Sequence, residues 1–223
     1  MEKIKILFKI ILSLPKTIYF NFRVFDLKTA IKLPILIANN VKILEIHKNS
    51  ILIARNKIKL FMIIIGLSGS NAINSTKGKV KLSKSSKIVF EGTARFAEGI
   101  VLYSNGGTAV FGDNFVSNKN CFIAFDLKIT FGADVLLGWN VNIRDSDGHT
   151  IVSDGMRNKN VKEVKIGNHV WICANVDILK GSDIGNNNVI GYRSLVSGLK
   201  TSDNNLVVGF PAVVKKNEIT WEK

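Results

Sequence analysis

Large aliphatic residues recur at strict intervals of six through the last third of this chain: Ile166, Ile172, Ile178, Ile184, Ile190 and Val196. Such a period belongs neither to an α-helix, which repeats near every 3.6 residues, nor to a plain strand, which repeats every 2. It fits a chain that makes one short strand and one corner per hexad, so that three hexads close a triangular coil and the coils stack in parallel. Glycine follows the aliphatic at Gly167, Gly185 and Gly191, and the same pairing recurs at Phe131-Gly132 and Leu137-Gly138. At a corner, glycine or asparagine adopts the backbone angles of a sharp turn at low cost. Stacking predicts ladders of Ile166 on Ile184, Ile172 on Ile190 and Ile178 on Val196. The fold class implied is all-β, a parallel β-helix of hexapeptide repeats with a short N-terminal helical segment.

Phe111, Ser117, Ile123 and Ile129 keep the period further upstream, and Phe131, Leu137, Ile143 and His149 keep it after a slip of two residues. Between His149 and Ile166 it fails. There the Asp154-Gly155 pair, among charged and amide residues, predicts a loop excluded from the coil over about residues 150–163. Fragments around Ile51, Ile64, Val80 and Ile88 read as short strands at irregular spacing. From Met1 to Leu14, the apolar Leu7, Ile10, Ile11 and Leu14 oppose Glu2, Lys5 and Lys9, which predicts an amphipathic helix stopping at Pro15. No period is sustained from Lys16 to Asn40. The expected organisation is a helix and connecting segment over 1–41, the β-helix over 42–213 and a basic tail over 214–223.

Cys121 and Cys173 lie among apolar neighbours without CxxC spacing, which speaks against a disulfide framework or a zinc site and for a reducing cytosol. Lys9 interrupts the first apolar stretch, so no secretion signal is expected, and Leu60 to Leu67 is too short to span a bilayer. The formal charge of +14 favours an anionic partner without choosing among nucleic acid, membrane, glycan or phosphate-rich cofactor.

Three stretches carry a more specific signal: Asp145-Ser146-Asp147-Gly148-His149, Ile166-Gly167-Asn168-His169-Val170-Trp171-Ile172, and Val208-Gly209-Phe210-Pro211-Ala212 followed by Lys215 and Lys216. With them, Gly106 to Lys216 resembles the hexapeptide-repeat acyltransferases, particularly bacterial galactoside, maltose and capsular-polysaccharide O-acetyltransferases. The resemblance implies a left-handed β-helix, acetyl-CoA as co-substrate, a sugar or polysaccharide acceptor, no metal, and a homotrimer with the active site shared between neighbours. His149 matches the general base of the family. A neutral imidazole near its unperturbed pKa of about 6.5 accepts a hydroxyl proton at cytosolic pH. Asp147 or Asp145 is expected to fix its tautomer. Asn118 matches an asparagine that polarises acceptor or thioester. Trp171 matches a tryptophan bordering the acetyl and pantetheine end, and hexad phase turns it outward. Ala174, Tyr192 and Ser197 match positions along the coenzyme arm, and Lys216, with Lys215 beside it, matches a basic residue at the coenzyme phosphates. Val213, Tyr192 and Cys173 depart from the family pattern.

Two other readings use the same features. An N-acetyltransferase of a nucleotide-linked amino sugar needs a similar helix and base, whereas Asp-x-Asp-Gly-His and the Ile219-Thr220-Trp221 ending resemble the O-acetyltransferases. A non-catalytic β-helix that binds ice or nucleic acid would show outward threonine ranks or a nucleic-acid motif, and neither is present. A zinc carbonic anhydrase of this fold needs three converging histidines, and His47, His149 and His169 have the wrong spacing. His47 and His169 are assigned to surface or packing roles. The N-terminal helix, with Lys3, Lys5, Lys9 and Lys16, suits either an anionic inner-membrane face or packing on the first coil or a neighbouring subunit.

Overall fold

The computed structural model describes residues 2–222 apart from Asn56, with backbone only for Glu2 and Lys3. The expected helix start at Met1 lies outside these residues. Three parallel sheets form the faces of a triangular prism. Its first coil consists of β1 (Ile35–Ile37), β2 (Val41–Glu45) and β3 (Ile51–Ile53), one strand per face. Strands Ile63–Ile65, Gly78–Leu82 and Lys87–Phe90 pair with them in parallel to make the second coil. The β-helix therefore begins at Ile35 rather than 42. The irregular spacing upstream reflects connections of unequal length, residues 54–62 and 66–77, between otherwise ordinary coils.

The ladders form as expected, with Ile166 on Ile184, Ile172 on Ile190 and Ile178 on Val196, all buried. The fold is the left-handed parallel β-helix. The two-residue slip has a simple origin, because the turn of chain from Phe111 to Phe131 is two residues longer than that from Ile166 to Ile184. In these middle coils aromatic rings replace aliphatic ones. Phe111 stacks on Phe90 and Phe131 at 5.4 and 5.0 Å, and meets Phe96 and Phe115 edge-on at 5.2 and 4.8 Å. Each such pair contributes roughly 0.5–1.5 kcal/mol beyond the area it buries.

Corners are built from left-handed residues in register. Asn120, Asn140 and Asn175 succeed one another where the first face meets the second, with φ near 60, 55 and 57°, and Asn140 donates to Asn175 at 3.0 Å. Asparagine tolerates this conformation because its side chain bonds locally. At the third-to-first corner, His169 takes the same position with φ 53°, its Nδ1 against Asp134. Gly138 is needed for close stacking, since a Cβ there would lie 2.6 Å from the amide nitrogen of Ala174.

The N-terminal helix does not stop at Pro15. α1 runs from Glu2 to Val24 with Pro15 inside it, followed by α2 (Leu27–Ala30). Proline removes one hydrogen bond from the helix, but the turns beyond it are held from outside. Ser13, Thr17 and Asn21 are buried and face the open edge of β1. Asn21 Oδ1 accepts from the N–H of Ile35 at 3.2 Å while its Nδ2 donates to Ile35 C=O at 2.7 Å. Thr17 Oγ1 accepts from Ile37 N–H at 3.2 Å, and Ser13 Oγ from Asn39 N–H at 3.0 Å. Four residues of helix advance about 6.0 Å and two of strand about 6.6 Å, so side chains at i, i+4 and i+8 meet every second residue of an antiparallel strand. A polar stripe thus satisfies the edge of the prism; beside it Ile6, Ile10, Phe20 and Val24 pack on the core, while Leu7 and Ile11 of the expected apolar stripe stay exposed.

The residues after 213 are not a free tail. Ala212–Lys216 pairs antiparallel with Leu206–Gly209, and Trp221 is buried against the corner residue His169. The rings of Trp221 and His169 stack at 4.1 Å, and Trp221 Nε1 donates to His169 C=O at 2.8 Å. That contact gives His169 its packing role.

Candidate active site

A cleft of about 350 Å³ opens where the first face meets the second. It is built from successive coils in the same corner: Asn118, then Gly138 and Trp139, then Cys173 and Ala174, then Tyr192, with Trp171 and Leu136 flanking. Trp171 is 37% exposed, as hexad phase requires, and its ring lies 5.9 Å from that of Trp221. The register Leu136, Trp171, Val189, Leu206, Lys216 runs down the first face. Lys216 therefore stands three strands from Trp171, about 14 Å at ~4.8 Å per strand. Lys215 and Lys216 are both exposed. Trp139 was missed by the sequence reading. Its signal was present, because Leu137-Gly138-Trp139 sits one coil before Ile172-Cys173-Ala174 at the same corner.

Asn118 has a defined orientation. Its Oδ1 accepts the backbone N–H of Ser70 at 3.0 Å and of Lys119 at 2.9 Å, which only the oxygen of the amide can do. Nδ2 is the donor left to the cleft. The connection over residues 66–77 that supplies Ser70 is held on both sides of Asn118. Lys119 Nζ donates to Ile73 C=O at 3.2 Å, and Asn120 Oδ1 accepts from Thr76 N–H at 2.9 Å. Glu98, at the same corner, is hydrogen-bonded by Lys9 of α1 at 2.6 Å and Ser75 at 2.9 Å. Burial raises its pKa, but these bonds and the charges of Lys9 and Lys119 outweigh burial and hold the carboxyl below its ordinary value.

His149 lies elsewhere. The chain leaves the prism at Asp145, earlier than the hexad count placed it, and His149 stands outside, exposed and without a hydrogen bond to a described residue. Its loop contains the hairpin Val152–Ser153 with Met156–Arg157. Neither carboxylate of the motif faces the imidazole. Asp145 is fully buried and accepts the N–H groups of Asp126 at 2.8 Å and Leu127 at 2.9 Å. Burial pushes its pKa up against those backbone bonds. Asp147 pairs with Lys180, whose Nζ also donates to Lys159 C=O at 2.9 Å, so this pair holds both arms of the loop against the next coil. Ser197, at the end of Leu195–Ser197, lies at the same second-to-third corner and not in the cleft.

Apart from Asp145 inside the prism wall and Lys215 and Lys216 on the terminal strand, the site residues read from the sequence thus fall into two sets. Asn118, Trp171, Ala174 and Tyr192 line the cleft; His149, Asp147 and Ser197 stand at the next corner, across a face about 17 Å wide at ~3.3 Å per residue. The thiols belong to neither chemistry. Cys121 is buried and pushed up to about 12, and burial also raises half-buried Cys173, so neither is a ready thiolate. No group of metal-ligating side chains occurs among the described residues.

Residues 163–198 match the family description "Bacterial transferase hexapeptide (six repeats)". Over 131 residues, 52% of this chain, the sequence is 36% identical to WbbJ of Escherichia coli K12, a protein named for O-acetyl transfer in lipopolysaccharide biosynthesis, and covers 66% of that protein. It is 35% identical over 108 residues to the galactoside O-acetyltransferase of the same strain, covering 48% of this chain and 53% of that one. The chain spans about half to two thirds of the length of these relatives. Among solved structures, the polySia-specific acetyltransferase NeuO superposes with a TM-score of 0.54 at 21% identity, covering 82% of this chain and 88% of that one, which speaks to the fold.

Proposed function

We propose that this chain, whose last coils match the bacterial transferase hexapeptide family and whose relatives are named O-acetyltransferases, is a hexapeptide-repeat acyltransferase that transfers acetyl from acetyl-CoA to a sugar hydroxyl of a surface polysaccharide or its precursor, in the cytoplasm, as a homotrimer. The observation that carries the reading is the division of the candidate residues between two corners. A threefold assembly sets the second-to-third corner of one copy against the first-to-second corner of the next, and His149 then faces the neighbour's cleft. The acceptor oxygen attacks the thioester carbonyl as His149 takes its proton. Asn118 Nδ2, aimed by its fixed Oδ1, donates to the carbonyl oxygen as it gains charge. The C–S bond breaks, and His149 returns the proton to the leaving thiolate. Gly138 and Ala174, with little or no side chain, leave the groove open for a pantetheine arm between Trp139 and Trp171. Lys216, in the Trp171 column, meets the phosphates.

O-transfer is favoured over N-transfer to an amino sugar by the names of the relatives over the matched coils, and a hydroxyl acceptor assayed beside an amine acceptor separates the two. Shared sites have their own test. His149→Ala and Asn118→Ala are each expected to fold, to form trimers by light scattering, and to lower turnover about 100-fold or more. Unfolded and reassembled together in equal amounts, they regain about a quarter of wild-type activity, because that fraction of interfaces joins an intact histidine to an intact asparagine. No recovery overturns the shared site.

A further inference from the structure

Besides Ile6, Ile10, Phe20 and Val24, which pack on the core, α1 carries a second apolar face turned away from the protein. Leu7, Phe8, Ile11, Leu12, Tyr19 and Phe22 are each between 45% and 61% exposed. At 100° per residue they occupy an arc of about 140° on one side of the helix. α2 extends the patch with Leu27 and Ile31, 68% and 63% exposed. This face is unpartnered because the opposite one is already used, its serine, threonine and asparagine spent on the edge of β1. Cations border it: Lys5 and Arg23 are exposed at one margin of the arc, where Lys9 and Lys16 are bonded to Glu98 and to the carbonyls of Asn39 and Val41, and Lys28 of α2 and Lys32 just after it add two more. From Ile4 to Lys32 the one acidic residue is Asp26, which is occupied in capping α2 through Thr29.

We propose that this face docks on an anionic membrane surface, with α1 lying in the plane of the interface. A helix with aromatic and aliphatic residues on one side and lysines along its margin is the form that binds there. Self-pairing through the same face brings Lys5 and Arg23 of one copy against those of another with no described carboxylate between them, whereas anionic lipid supplies the complement. No helix among the described residues is long and apolar enough to cross a membrane, so the contact is peripheral. Lys9 ties α1 to Glu98 at the corner that leads to Asn118, which sets the cleft beside the lipid surface. The benefit to a lipid-carried acceptor rests on the function proposed above; the binding itself does not.

The full-length protein is sedimented with phosphatidylcholine vesicles made with and without phosphatidylglycerol. It is expected to bind the anionic vesicles and to be weakened by salt. Leu7→Ser, Phe8→Ser and Ile11→Ser together, all at exposed positions, should lower partitioning about 100-fold while melting temperature and assembly mass stay unchanged. Lys5→Glu with Arg23→Glu should lower it about tenfold or more on anionic vesicles. Absence of wild-type binding overturns the proposal, as does undiminished binding of the triple serine variant. A fall in the mass of that variant by light scattering also overturns it, assigning the face to a second copy of the chain.

Discussion

Asp145 accepts two backbone N–H groups inside the prism wall, while Asp147, two residues on, reaches a lysine at the surface. Removing the first leaves buried donors without a partner, so Asp145→Ala is expected to cost about 2–4 kcal/mol of stability. Asp147→Ala should cost under about 1 kcal/mol, as surface pairs do, and act on turnover by loosening the loop that carries His149. Melting temperature and acetyl transfer measured on both variants check this. Equal stability loss in the two would contradict the division of roles. The sequence places both aspartates beside the histidine but contains nothing that separates them, because the distinction lies in where the chain leaves the third-face register. The outward turn of Trp171 was legible from hexad phase, and its candidate role from the resemblance. The second tryptophan of the cleft, Trp139, required the coil before to be aligned on it.

At the scale of elements, α1 was legible as far as its period is aliphatic and illegible beyond. Pro15 reads as a stop when propensity alone is weighed. The continuation to Val24 depends on contacts with β1, and no local pattern announces that Ser13, Thr17 and Asn21 are the buried side. Their burial makes a sharp prediction. Asn21→Leu, a change that looks favourable for an apolar helix, strands the N–H and C=O of Ile35 and should destabilise the protein by about 2–4 kcal/mol. Chemical denaturation of the variant measures it, and an unchanged midpoint would mean that the helix is held by something other than this stripe. The terminal strand was hidden for a related reason. Ala212–Lys216 carries a basic composition that reads as a solvated tail, and its pairing is fixed by the turn at Gly209 to Pro211.

Across the whole molecule, each coil touches chiefly the coil before and the coil after, so the regular hexads of the second half were readable while the widened first coils were not. Such a stack has two ends, and an exposed strand edge recruits other strands. Deletion of residues 2–24 is therefore expected to give a protein that associates through β1, seen as a steep rise in scattering with concentration; a well-behaved deletion would show that the edge needs no cover. The stripe on α1 also has a meaning in time. Synthesis delivers the helix before any coil, so β1 emerges to find its outer hydrogen bonds already waiting. From then on each new turn of chain is laid on a surface finished on its far side, and the prism can be wound from one end as it leaves the ribosome.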